Sequence, residues 1–274
     1  MPAGSATPYR VLRSLELPQQ QVWGDLCWDP LIPGRILVGL RTRSLGALVL
    51  DPGGQWSTLQ ARSTLSQPRL RAIGADGAWY VTSPQEPHTI WVIEPRSGTV
   101  VGVMPFRGRF DPDTRLALRV LPDGDAIVAG CGVPGLQRLN RQGALVHDYY
   151  ALQELHKADF AWRGVVALAV DPVTGTAMLV VRHLEPGLLV VDPERGAIDK
   201  RRGFVEPCWA EFTPGGVQIL ELESPGIVDT GGLRPLPAVP WHYLRNEQFL
   251  ADPGSGQVHL VVRRGMRLKL ETLG

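Results

Sequence analysis

The chain has 274 residues, 44% of them hydrophobic, and a formal net charge of +1. That is enough apolar material for a large core, without the basic excess of a general nucleic-acid binder. No apolar run reaches the roughly 18 residues of a membrane helix, and residues 1–10 hold no apolar signal core, so a soluble, cytoplasmic protein without membrane contact is expected. Cys27, Cys131 and Cys208 are odd in number and widely spaced, which argues against a disulfide framework or a zinc site.

The first predicted element is a strand over residues 9–17, where apolar residues partly alternate. Behind it a degenerate repeat begins. Each unit opens with a short strand that ends in a turn carrying Asp, Pro or Gly, and a β-rich run follows. The turn position falls at Asp29, Asp76, Asp123, Asp171, Gly215 and Asp252, at intervals of about 37 to 48 residues. A third strand then ends in a second polar turn, as at Asp51, Glu94 and Asn140. Asp in such turns accepts hydrogen bonds from nearby backbone amides, and Pro presets φ. A period of about 40 to 50 residues with four strands per unit is the signature of a propeller blade. The expected fold is therefore all-β: one domain, 1–274, forming a six-bladed β-propeller with four-stranded blades near 21–60, 69–107, 115–150, 163–205, 207–236 and 245–274. The last unit lacks an outer strand, which residues 9–17 can supply by pairing with the C-terminal blade, closing the ring and removing an exposed edge.

The segments Val120-Leu-Pro-Asp-Gly124 and Phe212-Thr-Pro-Gly-Gly216, each followed by a β-rich strand, resemble the inner hairpins of the NHL, YVTN and SMP-30/gluconolactonase propellers. The resemblance covers nearly the whole chain at the level of fold. The SMP-30 group implies a metal-dependent lactonase whose ligands stand at the inner-strand entrances. Residues 23–30 are similar to the first inner strand of that group, with Asp25 near the place of a ligand. Arg119 and Ala167 stand in later ligand slots, where a hard cation wants oxygen donors.

Side chains alternate along a strand, so the aligned inner strands predict two columns. Leu26, Ile73, Val120, Leu168, Phe212 and Phe249 should pack between blades. Asp25, Ala72, Arg119, Ala167, Glu211 and Gln248 should face a central channel, joined two residues earlier by Trp23, Leu70, Ala117, Val165, Trp209 and Asn246. Asp25 and Glu211 are the candidate metal ligands, for one divalent cation such as calcium; the simpler reading is a self-neutralising channel without a cofactor. The blade connections 149–163 and 237–246 bring His156, Trp162, Arg163, Trp241, His242 and Arg245 to the channel mouth. Aromatic residues with Arg are a binding composition, and loops on a rigid scaffold carry function. With Trp23, Arg119 and Trp209 they form the candidate binding rim. Second-to-third-strand loops add His88 beside Glu86, and His183 beside Glu185, to that face. No phosphate-loop, dinucleotide, zinc-protease or nucleophile-elbow motif is present. The functional expectation is a non-catalytic scaffold that binds a protein partner or a small or polymeric ligand on the channel-mouth face. The competing one is an SMP-30-like metal-dependent hydrolase or a lyase at the same mouth.

Overall fold

A computed structural model describes residues 10–18, 22–40, 42–108, 117–129, 136–148, 257–264 and 267–273, and between 165 and 251 the strand segments. Among the described residues there is no helix, and 24 strands form six four-stranded antiparallel sheets. The first sheet runs β2 (Val22–Trp28), β3 (Ile36–Leu40), β4 (Leu45–Leu50), β5 (Trp56–Ala61). The second is β6 (Arg69–Ile73), β7 (Trp79–Ser83), β8 (Glu86–Ile93), β9 (Val100–Pro105), and the third β10 (Ala117–Val120), β11 (Ala126–Ala129), β12 (Leu136–Leu139), β13 (Leu145–Asp148). The fourth holds β14 (Val165–Val170), β15 (Ala177–Val181), β16 (Gly187–Val191) and β17 (Ile198–Arg201). The fifth holds β18 (Pro207–Thr213), β19 (Gly216–Glu221), β20 (Ile227–Asp229) and β21 (Pro235–Leu236).

The sixth sheet is made from both ends of the chain. Its order is β22 (Phe249–Ala251), β23 (Val258–Arg264), β24 (Arg267–Leu273) and then β1 (Val11–Glu16). Strand β1 pairs antiparallel with β24, Leu15 opposite Leu270 and Glu16 opposite Lys269. The Leu17 amide donates to the Leu268 carbonyl, and Arg267 reaches the Glu16 carboxylate at 2.9 Å.

The turns follow from their Asp residues. Asp29, Asp76 and Asp123 each accept a hydrogen bond at Oδ1 from the amide two residues on, at 2.9, 3.0 and 2.9 Å. This is the Asx turn that the sequence implied. At the second turn of the third sheet, Asn140 Oδ1 does the same for Gln142 and Ala144.

Sheets stack face to face, and the middle strands are buried on both sides. That is why 36–40 and 45–50 read as continuous apolar runs rather than as alternations. Successive residues feed different cores. Leu37, Ala47 and Val49 meet Leu70, Trp79 and Val81 of the second sheet. Ile36, Val38 and Leu48 turn the other way, onto Leu268 and Leu270 of the sixth. Tyr80, Ile90 and Val92 of the second sheet meet Leu118, Val128 and Leu139 of the third. Burying each such side chain contributes about 1.5–3 kcal/mol. The sixth sheet also touches the first through Trp28 and His259, edge to face at 5.3 Å.

One contact recurs at the outer margin. The second turn of each of the first three sheets presses a glycine onto the outer strand of the preceding sheet, or just past its end. Gly98 meets the Arg62 backbone, Gly143 the Val103 carbonyl, and Gly54 the Arg13 side chain of β1. At Gly98 and Gly143 φ is +76° and +85°, and an added Cβ would strike backbone. Glycine therefore lets neighbouring sheets close up there.

Candidate functional site

The inner strands carry the candidate polar residues, and their geometry differs from plain alternation. Residues Leu70 and Ala72, expected on one channel-facing side, lie on opposite faces. Leu70 is fully buried against the first sheet, and Ala72 packs toward the third. The register of β6 shifts between them, with Leu70 opposite Val81 and Ala72 opposite Tyr80, so Arg71 is an extra, bulged residue. A bulge inserts one residue and reverses the phase of everything before it. Strands β2, β14 and β18 shift register too, between Val22 and Leu26, Val165 and Ala167, and Pro207 and Trp209.

The bulge determines the partner of Asp25. Arg71 places Nη1 3.5 Å from Asp25 Oδ2 and donates from Nε to Thr82 Oγ1 at 2.9 Å. The two side chains are 3% and 12% exposed, so this is a buried ion pair across the first and second sheets. The Cys27 thiol lies beside it, 3.6 Å from the Arg71 carbonyl. Asp25 thus already has a cationic partner, and Arg119 occupies another slot of the same column. Those residues do not fit a hard cation, which needs several free oxygen donors. Among the described residues no group of three or more His, Cys, Asp or Glu is close enough to hold a metal.

Arg119 sits half-buried on β10 and donates from Nη1 to the Leu118 carbonyl at 3.3 Å. Trp23 lies in strand β2, and Trp209 and Glu211 in β18; of these three residues the backbone alone is described. His156, Trp162, Arg163, Trp241, His242 and Arg245 lie outside the described residues. His88, whose neighbour Glu86 suggested acid–base chemistry, instead bonds through Nδ1 to the Gly108 carbonyl and holds a loop.

The opposite ends of the inner strands carry charge in the turns. Arg35 bridges Asp29 at 3.3 Å and Asp51 at 2.9 Å, and Arg138 bridges Asp123 and Asp125, both at 2.8 Å. Arg141 of the third sheet crosses to Asp76 of the second. Beneath it the Tyr80 hydroxyl donates to the Gly124 carbonyl at 2.7 Å. Burial pushes the Tyr80 phenol up to about 12. At Asp76 burial works upward, but the Ala78 amide and Arg141 outweigh it and hold the carboxyl below its usual range.

Two cavities open between sheets, at equivalent places. Between the second and third sheets a cavity of about 290 Å³ is lined by Phe106, Arg107, Gln137 and Gly143. Gln137 is buried, and its Oε1 accepts a hydrogen bond from the Arg107 amide at 2.9 Å. Between the first and second sheets the cavity is about 510 Å³, with Arg62, Ser66, Gln85, Trp91 and Gly98 in its lining. Trp91 and Gln137 both stand three residues before the polar residue of the second turn, Glu94 or Asn140. The Trp91 indole N–H is buried and has no hydrogen-bond acceptor among the described residues. Neither cavity was legible beforehand, because each joins segments that strand twist brings together.

No protein-family description matches the chain, and no curated protein is similar to it. Solved structures are similar in shape. A streptogramin B lyase matches with a TM-score of 0.62 at 10% identity, over 99% of this chain and 100% of its own. Virginiamycin B lyase from Staphylococcus aureus gives 0.59 at 10% identity, over 97% and 99%. A chain of a nidogen/laminin complex gives 0.53 at 12% identity, over 79% and 80%. At such identities the likeness speaks for fold alone. The chain is an all-β protein with a propeller fold, resembling the NHL- and gluconolactonase-like propellers.

Proposed function

We propose that the chain is a six-bladed propeller, closed by β1 on β24, that works as a non-catalytic binding scaffold. Its channel-mouth face holds a protein partner, or a small or polymeric ligand, through Trp23, Arg119, His156, Trp162, Arg163, Trp209, Trp241, His242 and Arg245. No cofactor enters this reading. The observation that supports it is the Asp25–Arg71 pair, which occupies the one inner-strand carboxylate that resembled a lactonase ligand. The packing of Leu268 and Leu270 onto Ile36 and Val38 supports closure of the ring. Propellers of similar shape include both a lyase and a chain of a nidogen/laminin complex, so fold likeness alone leaves both classes in play.

Elemental analysis of purified protein, with melting measured before and after a chelator, tests the scaffold against the metal-dependent hydrolase. The scaffold predicts no stoichiometric divalent ion and an unchanged melting temperature. An ion that survives dialysis and is lost with activity in Asp25→Asn or Glu211→Gln would overturn it. For the rim itself, a combined Trp241→Ala, His242→Ala, Arg245→Ala variant should keep its melting temperature and lose whatever the wild type retains in affinity capture.

A further inference from the structure

We propose that the groove between the first and second sheets is a second binding site, for an uncharged saccharide of one or two rings. None of the rim residues lines it, so the inference stands apart from the proposed rim. Three observations carry it. The groove encloses about 510 Å³, within the range of small-ligand sites. The equivalent groove one sheet on is narrower, about 290 Å³, and the chain itself satisfies its buried Gln137 side chain, through the Arg107 amide. Here Trp91 replaces that glutamine and leaves a buried indole N–H without an acceptor among the described residues, an arrangement that native structures rarely keep without reason.

The lining chemistry selects the ligand class. Arg62 and Glu86 are exposed on the same groove, and neither forms an ion pair among the described residues. Their charges balance, so the groove favours neither an anion nor a cation. A hydroxyl can accept from Arg62 and donate to Glu86 at once. Thr64, Ser66 and Gln85 add groups that both donate and accept. Leu65, Val100 and the Trp91 ring give an apolar flank for the C–H face of a sugar ring. A ring hydroxyl oxygen is the acceptor we assign to the Trp91 N–H, which is buried and is reached once the side chains that cover it move aside.

The test reads the indole signals of ¹⁵N-labelled full-length protein, with Trp91 assigned through Trp91→Phe, or through contacts to Val100 should that variant not fold. The probes are glucose, galactose, mannose, N-acetylglucosamine, maltose, cellobiose and lactose, with glycylglycine and acetate as zwitterionic and anionic comparisons. At least one saccharide should move the Trp91 signal saturably. Arg62→Ala and Glu86→Gln, both surface changes with unaltered melting, should each weaken that binding about tenfold. The proposal is overturned if no saccharide moves the signal, if glycylglycine or acetate moves it instead, or if the shift persists in both variants.

Discussion

Two neighbouring interfaces of this molecule use the same repeat to different ends. Where the second sheet meets the third, the inner strand β10 pairs in unbroken register, and Leu118 packs fully into the core. Where the first meets the second, the place five residues before the turn holds Arg71 on a bulge, paired with buried Asp25. The outer grooves differ in the same sense. In the narrower one Gln137 is bonded to the Arg107 amide, while the wider one holds Trp91, whose N–H has no acceptor among the described residues. One interface is closed by apolar packing and satisfied polar groups. The other keeps charge and an unmet hydrogen bond, as sites with a role beyond stability do.

The largest expected effect lies in the buried pair. Arg71→Met strands the Asp25 carboxylate in the core and should cost about 3–5 kcal/mol in urea unfolding. Adding Asp25→Leu to that variant should restore much of the loss, because the stranded charge goes. Equal stability of Arg71→Met and wild type would show that Asp25 reaches solvent, and the contrast with Leu118 would collapse. Next comes the glycine contact that both interfaces share. Gly143→Ala and Gly98→Ala each place a Cβ against backbone at positive φ and should cost about 1–3 kcal/mol. A neutral Gly98→Ala beside a damaging Gly143→Ala would mark the first–second margin as the looser one.

The second–third interface should also carry an alkaline signature. The Tyr80 phenol is raised to about 12 in the folded state. Below the unfolded value near 10 both states keep the proton, and stability does not change on its account. Between about 10 and 12 the unfolded chain releases a proton that the folded one holds. Stability then falls with rising pH, by up to about 1.4 kcal/mol per unit. Tyr80→Phe should remove that slope and cost about 1 kcal/mol at neutral pH, since the Gly124 carbonyl loses its donor. Urea unfolding at pH 8 and 11 in both proteins checks this.

Much of this architecture was readable from residues with local work to do. Asp29, Asp76 and Asp123 mark their turns because each carboxylate binds an amide two residues on. The runs 36–40 and 45–50 announce strands buried on both faces. Arg71 shows where such reading fails. A two-residue period cannot reveal an added residue, so Leu70 and Ala72 were expected on one side and lie on two. Asp25 was expected on the channel column as a candidate metal ligand, and its cationic partner Arg71 comes from another sheet, 46 residues away. Trp91 drew no notice because an aromatic residue in a strand is ordinary, and its missing acceptor is a fact of packing between sheets.

The smallest expected effect is the sharpest probe of the comparison. Gln137→Leu removes the acceptor of the Arg107 amide, which stays partly buried, and should destabilise by about 1–2 kcal/mol. Trp91→Phe removes a donor that has no acceptor to lose. Its aromatic bulk continues to pack on Ile93 and Val81, and the cost of keeping a buried N–H unpaired disappears. The two terms oppose each other: lost ring area destabilises slightly, and relief of the orphaned donor stabilises by a similar amount. The net change in urea unfolding should stay within about 0.5 kcal/mol, of either sign. A loss near that of Gln137→Leu would mean that the Trp91 N–H does find an acceptor in the folded protein. The polar groups of the two grooves would then be satisfied alike, and the asymmetry that singles out the first–second groove as a site would be gone.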